Sequence, residues 1–318
     1  VKAVSTFLTM KSGRTIGLAL GSGSARGWSH IGVIRALAEA GIDPDIVCGT
    51  SIGALVGAFF VNGHLDAFES WIRRLNRIDF LRYLDFRLVT GGGFVQGKRL
   101  MDFFRDYIGN VNIEDLSKPF ATVATDLTTG REIWFEQGPL MDAVRASIAL
   151  PGIFTPVKLG DQWLVDGGLV NPIPVSTCRA MGAKVVIAVN LNGDIVGRRL
   201  NQSRPSKQIG RHHTFEARLF DRVSVALKER AASLIPQLLD PAAETPGLLN
   251  VLASSINIMQ DRITRSRMAG DPPDVMLNPR LSHLGLLEFY RAAEAIEEGR
   301  ACVNRMLPTL KHVLGQKK

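Results

Sequence analysis

Apolar positions along the chain follow two periods, and the way these alternate outlines the fold. Residues 15–20 are a mostly apolar run too short for a helix and are followed by a Gly/Ser cluster, which predicts a buried strand. Ile31, Ile34, Leu37 and Ala38 then recur at helical spacing and Gly41 closes the pattern, predicting a helix that Ser29 is placed to cap. Asp43-Pro44 turns the chain into a second apolar run at 45–48, and a further apolar, small-residue run of helical length reaches Val61. Strand–helix–strand implies parallel strands with a right-handed crossover. Sheets of this kind place their sites at the carboxyl ends of the strands.

Further along, amphipathic helices are predicted near 65–77 and 98–107, separated by Gly91-Gly92-Gly93. Residues 120–126 read as a strand, with 131–135 as its hairpin partner across Thr128-Thr129-Gly130. A helix at 140–148 stops before Pro151, and a strand at 162–165 ends in Asp166-Gly167-Gly168. Residues 183–189 are a buried strand. After it Arg198, Arg199, Arg204, Lys207, Arg211, His212 and His213 lie among Asn, Gln, Ser and Gly, the composition of an exposed basic loop. Two amphipathic helices (217–239 and 247–268), a late strand (274–277) and a C-terminal helix (286–314) complete the chain. The expected organisation is an N-terminal extension at 1–14, a catalytic domain at 15–191, a basic loop at 192–216 and a helical region at 217–318 packed on the catalytic domain.

Composition narrows the partners more than the fold. The 318 residues carry a net charge of +8, which favours an anionic partner such as nucleic acid or an acidic membrane surface. The basic loop contains no aromatic residue between Arg198 and Arg211, so the stacking platform of a nucleic-acid binder is missing and no nucleic acid is expected. Cys48, Cys178 and Cys302 have no metal-ligand spacing and read as core residues of a reducing compartment. No apolar run approaches the ~18 residues of a membrane span, and residues 1–14 lack a signal-peptide pattern. A cytoplasmic protein is expected, touching the inner face of the membrane peripherally.

Chemistry concentrates at Gly49-Thr50-Ser51-Ile52-Gly53, a G-x-S-x-G pattern between a strand and a helix. In such an elbow the serine backbone is strained, and Gly49 and Gly53 clear the space that side chains would occupy. Ser51 is the candidate nucleophile. It needs a base for its proton and donors for the oxyanion. The loop Gly21-Ser22-Gly23-Ser24-Ala25-Arg26-Gly27, between a strand end and a helix N-terminus, offers backbone N–H groups at Gly23 and Ser24, and Arg26 steadies the loop or meets an anionic head group. Its spacing departs from G-x-G-x-x-G, and the second strand ends in the elbow instead of a ribose-binding carboxylate, so a nucleotide-binding reading is the weaker one. The residues leave the base open. None of His30, His64, His212, His213, His283 and His312 occupies an obvious strand-end loop, whereas Asp166 ends a strand and lies at the sheet's carboxyl edge if that strand is parallel.

The glycine loop at 21–27, the elbow at 49–53 and Asp166-Gly167-Gly168, with Ala146-Ser147 followed by Pro151 and Phe154, resemble the patatin-like phospholipases. Residues 267–274 (Arg-Met-Ala-Gly-Asp-Pro-Pro-Asp) are similar to the bacterial RssA-type branch in particular. The resemblance implies a three-layer α/β fold with a largely parallel central sheet and additional C-terminal helices. It implies a Ser–Asp dyad of Ser51 and Asp166 that needs no histidine, an oxyanion loop at Gly23, Ser24 and Arg26, and structural glycines at Gly21, Gly27, Gly49, Gly53, Gly167 and Gly168. The implied activity is hydrolysis of carboxylic esters in phospholipids or lysophospholipids through an acyl-enzyme, with no metal and no cofactor. The alternatives are a general carboxylesterase and a non-catalytic or regulatory protein of the same fold. The family commonly has glycine where this chain has Ser22 and Ser24; serine supplies the same backbone N–H wherever φ admits a Cβ.

Overall fold

The computed structural model describes residues 14–76, 97–194 and 248–316. Eight strands form one sheet: β1 (Ile16–Leu20), β2 (Ile46–Thr50), β3 (Phe120–Asp126), β4 (Glu132–Phe135), β5 (Val157–Leu159), β6 (Gln162–Asp166), β7 (Val185–Val189) and β8 (Val275–Leu277). Their order is β5-β6-β3-β2-β1-β7-β8, with β4 branching from β3. The segment from β8 to β3 is parallel throughout, whereas β4 and β6 run antiparallel to β3 and β5 antiparallel to β6. The basic loop beyond Asp194, the helix expected at 217–239, the triple glycine at 91–93 and the first thirteen residues lie outside the described residues.

Period-two alternation in the strands divides the core between the two faces. Leu18, Leu20, Val47, Ile187, Val189 and Leu277 point to one face, under helices α1 (Ser29–Glu39), α2 (Ile52–Val61), α3 (Leu65–Arg74), α4 (Lys98–Ile108), α5 (Leu140–Ser147) and α8 (Ala292–Leu314). The other face carries small residues, Ala19, Cys48, Ala121 and Ala188, under α6 (Val175–Ala180). Large side chains on the first face fill the space beneath many helices. Small ones on the second let α6 approach closely, with Met268 packed against the same layer. Cys48 and Cys178 are both buried thiols of this tighter layer.

Two local expectations change. Ser29 does not cap α1, because a 3-10 turn at Ser24–Trp28 leads straight into the helix and the Ser29 hydroxyl donates back to Arg26 O at 2.8 Å. β6 is antiparallel, so Asp166 does not reach the carboxyl edge of the sheet as the end of a parallel strand. It arrives by another route. Pairing between β2 and β3 ends at Thr50↔Val123 while β3 runs on to Asp126, and β6 comes back along that extension and stops at Ala124↔Asp166. Two strands of opposite direction therefore end side by side.

The C-terminal part of the chain is built into the same sheet. Helix α7 (Leu248–Gly270) precedes β8, which pairs with β7 at the sheet edge. The stretch after Met268 is fastened by Arg179, which donates to Asp271 at 2.9 Å and to Asp274 at 3.3 Å, and Asp274 accepts the Val186 N–H at 2.8 Å. Arg267 reaches Val170 O at 2.8 Å and Glu132 at 2.5 Å. Helix α8 then crosses α1 backbone to backbone. A Cβ at Gly32 would lie 1.8 Å from Ile296 O, and one at Gly299 would lie 2.0 Å from Ser29 O.

That crossing separates two effects of opposite sign. Helix propensity alone favours Gly299→Ala by about 1 kcal/mol. The approach to Ser29 O instead makes this substitution overpacked, with an expected loss of about 1–3 kcal/mol in urea unfolding. A stabilised variant would mean that the two helices are not in backbone contact.

Candidate active site

Ser51 stands between β2 and α2 with φ 57° and ψ −122°. This backbone needs room on both sides. A Cβ at Gly49 would sit 2.5 Å from Ala54 N, and one at Gly53 would sit 2.1 Å from Leu20 O. The strained conformation is held from outside the elbow. The Ser51 N–H donates to Ser147 Oγ at 2.9 Å, and the Ser147 hydroxyl donates in turn to Val123 O at 2.6 Å. Ser147, at the end of α5, is fully buried.

The Ser51 hydroxyl donates to Asp166 Oδ2 at 2.5 Å, and the Gly168 N–H donates to Oδ1 at 2.7 Å. Asp166 has no exposed surface, and its carboxyl is pushed up from 3.8 to about 6 by burial, against the lowering effect of these two hydrogen bonds. Its backbone is fixed as firmly as its side chain: the N–H donates to Ala149 O at 3.0 Å and the carbonyl accepts the Thr125 hydroxyl at 2.8 Å. The last turn of α5 and its continuation thus grip both residues, Ser51 through Ser147 and Asp166 through Ala149. The two glycines after Asp166 have a steric reason. A Cβ at Gly167 would lie 2.1 Å from Val123 O, and at Gly168 one would lie 3.0 Å from Asp166 Oδ1 and 2.4 Å from Gln260 Nε2.

Neighbouring amides of the glycine loop are occupied. Gly21 N–H donates to Val189 O at 3.2 Å, Ser22 N–H to Pro172 O at 2.8 Å, Ala25 N–H to Leu286 O at 3.1 Å and Arg26 N–H to Gly23 O at 3.3 Å. Between them the N–H groups of Gly23 and Ser24 have no acceptor among the described residues. Ser24 has φ 52°, so it and Ser51 are the two non-glycine residues with positive φ among those described. Each such position costs of order 1–3 kcal/mol, and such residues gather at functional sites. Gly27 packs against Ile52 with no room for a Cβ, which joins the loop to the first turn of α2.

Arg26 does not present its charge to solvent. It is buried, and it donates to Gly23 O at 3.2 Å, to Asn192 Oδ1 at 3.1 Å and to Asn257 Oδ1 at 3.0 Å. Asn192 passes the network on to Gln260 at 3.1 Å. His30, also buried, donates from Nε2 to Gly21 O at 2.8 Å, and burial pulls its pKa down to about 4, so the ring stays neutral. The loop is therefore held at both ends by buried polar side chains. No histidine among the described residues bonds Ser51 or Asp166: His64 precedes α3, His283 pairs with Glu294 at 2.6 Å and His312 is on α8. His212 and His213 lie outside the described residues.

Ser147, Thr125, Asn192 and Asn257 hold the site together, and residue-by-residue reading of the sequence assigned them no such part. Ser147 carried a signal only in the family-like segment around it. The asparagines carried none, because each matters only through a partner distant along the chain.

A mixed sheet that sets a strained serine against a buried carboxylate has the geometry of a hydrolase-type elbow. The patatin-like phospholipase profile matches residues 18–179. An uncharacterized NTE family protein of Mycobacterium tuberculosis is 35% identical over 328 aligned positions, covering 92% of this chain and 91% of the relative. The mouse patatin-like phospholipase domain-containing protein 7 is 36% identical over 193 positions, 57% of this chain but 14% of that protein. Among solved structures, VipD from Legionella pneumophila aligns with a TM-score of 0.45 and 12% identity, covering 93% of this chain and 67% of that one. The chain belongs to the patatin-like phospholipase family, a family of lipid ester hydrolases.

Removing the Ser147 hydroxyl leaves the Ser51 N–H without its partner at the most strained point of the backbone. Ser147→Ala is expected to lower stability by about 1–3 kcal/mol in chemical denaturation. A value near zero would mean that the elbow holds its shape without this bond.

Proposed function

We propose that the protein is a serine acyl hydrolase that cleaves carboxylic ester bonds of phospholipids or lysophospholipids, with Ser51 as nucleophile and Asp166 as its base, in the breakdown of lipids. The observation that carries the proposal is the 2.5 Å hydrogen bond from Ser51 Oγ to a carboxylate with no exposed surface. Asp166 takes the hydroxyl proton as Ser51 Oγ attacks the ester carbonyl. The oxyanion forms against the free N–H groups of Gly23 and Ser24, where a helix N-terminus also favours negative charge. Arg26 serves this hole as a positioning residue: it holds the Gly23 carbonyl and so aims the Ser24 amide. The departing alcohol or lysophospholipid takes the proton from Asp166 and leaves an acyl-serine. Water then gives a proton to Asp166, attacks the acyl carbon and releases the fatty acid, restoring Ser51.

A carboxylate normally has too little proton affinity for this work, and burial supplies it. With its pKa raised to about 6, Asp166 is a better base than an exposed aspartate while remaining ionised at neutral pH. The net charge of +8 further supports peripheral contact with anionic membranes, where such substrates reside. A general carboxylesterase of the same mechanism would differ in substrate range, which a panel of phospholipid, lysophospholipid and short-chain esters separates.

A fluorophosphonate probe is expected to label the wild-type protein and to fail on Ser51→Ala; labelling that survives would place the nucleophile elsewhere. No labelling of the folded wild type would favour the non-catalytic alternative. Asp166→Asn should reduce kcat by roughly 10²–10⁴-fold. Because the ionised form of Asp166 is the base, kcat/KM should rise with pH through an apparent pKa of about 6 and then level off.

The same carboxylate makes a second, independent prediction about stability. A folded-state pKa raised from 3.8 to about 6 means that the native protein binds more protons than the unfolded chain in that interval, so stability falls as pH rises through it. The cost is complete above the folded pKa and amounts to about 3 kcal/mol at most. Asp166→Asn should therefore be more stable than wild type at pH values near neutral and lose that advantage in acid below the unfolded pKa. Urea unfolding of both proteins at the two pH values checks the sign.

A further inference from the structure

Helix α7 has its polarity turned around. Its inward face carries Asn257, Gln260, Asp261 and Thr264, all 4–5% exposed, beside one buried apolar residue, Ile256, while Val251, Leu252, Ile258 and Met259 face solvent at 43%, 38%, 53% and 47%. The inward face cannot be exchanged for the apolar one, because it belongs to the site's network: Asn257 accepts from Arg26, and Gln260 accepts from Asn192 while lying against Gly168. An ordinary surface helix has the opposite arrangement.

The outward face is continuous and of one sign. Val251, Ser254, Ser255, Ile258, Met259, Arg262, Arg265 and Ser266 are exposed along one stripe about 22 Å long, with Leu252 at its margin. Asp261 is the one acidic residue between 251 and 266, and it is buried against Arg265 at 2.8 Å. Further exposed apolar surface adjoins the glycine loop: Leu287, 44% exposed, follows Leu286, whose carbonyl holds the Ala25 N–H.

We infer that the outward face of α7 is the surface on which this protein docks to an anionic lipid bilayer, with Ile258 and Met259 entering the acyl boundary and Arg262 and Arg265 meeting head-group phosphates. Apolar residues beside arginines, with no exposed carboxylate, match an interfacial helix lying in the plane of the membrane. A second copy fits less well. Parallel pairing of two such helices would oppose their arginines, and antiparallel pairing would bury those arginines against Val251 and Leu252. The inference rests on the reading of the site as a lipid acyl hydrolase. It adds that the docking helix and the oxyanion loop are one hydrogen-bonded unit, so the helix that meets the membrane also braces the loop that would hold the oxyanion.

The test uses the full chain, sedimented with vesicles of phosphatidylcholine alone or with about one-third phosphatidylglycerol. Wild type should partition to the anionic vesicles, and the Ile258→Ser/Met259→Ser double variant should bind at least about tenfold more weakly. Arg262→Gln should weaken binding about fivefold, and only to the anionic vesicles. Turnover of a water-soluble short-chain ester should be unchanged in both variants, because neither touches Ser51, Asp166 or the loop. Wild-type binding retained by the double variant would overturn the docking surface. So would conversion of a wild-type dimer to a monomer by the same substitutions, which would make the face a contact between copies. Absence of ester turnover in the wild type, with vesicle binding intact and α7-dependent, would instead count against the catalytic reading and leave the docking surface standing.

Discussion

The two facing residues, Ser51 and Asp166, are brought together around one carbonyl group, that of Val123. It accepts the Ser147 hydroxyl that holds the Ser51 amide, and it lies so close to Gly167 that no side chain could stand there. Val123 is also the last residue of β3 paired with β2, one position before the first paired with β6. A strand arriving from each direction ends at this point. The 2.5 Å separation of Ser51 Oγ and Asp166 Oδ2 is thus set by the register of the sheet together with the strained turn that carries Ser51 out of β2. Sites built on sheet elements in this way hold their geometry better than sites carried on loops.

Strain and burial are the two costs of this arrangement, and both are met locally. The left-handed backbone of Ser51 is offset by the α2 amides of Ala54 and Leu55, which bond its carbonyl at 2.9 and 3.2 Å, and by Ser147 on its own amide. The left-handed backbone of Ser24 is flanked by Gly23 and Ala25, the first tied down by Arg26 within the same loop and the second by Leu286 from the distant part of the chain. Among the described residues the buried carboxylate has two hydrogen bonds and no cation. With a cation it would be more stable and a poorer proton acceptor, because an adjacent positive charge lowers a carboxylate pKa.

Much of this was legible in the sequence, for reasons that separate local from distant causes. β1, β2 and β7 are continuous apolar runs, and the helix from 140 to the residues before Pro151 appears where its periodicity places it. The elbow was legible because its requirement for glycine is local: Gly49 and Gly53 serve a turn five residues long. Asp166 could be singled out by the two glycines after it, but the direction of its strand could not, since antiparallel pairing with β3 depends on contacts forty residues away. The inverted polarity of α7 was hidden for the same reason. Its amphipathic pattern was visible, but which face turns inward was decided by the buried arginine at position 26, some 230 residues earlier and bonded to Asn257.

The crossing of α1 by α8 has a consequence for the order of events during synthesis. Ser51 and Asp166 are both translated well before Leu286 and Gly299, yet the glycine loop donates its Ala25 N–H to the Leu286 carbonyl, and the helix that follows the loop is clasped at Gly299. A nascent chain that has already produced Ser51 and Asp166 still lacks the far wall of its glycine loop. The two halves of the site mature at different times, and the loop is completed only after Leu286 and Gly299 have left the ribosome.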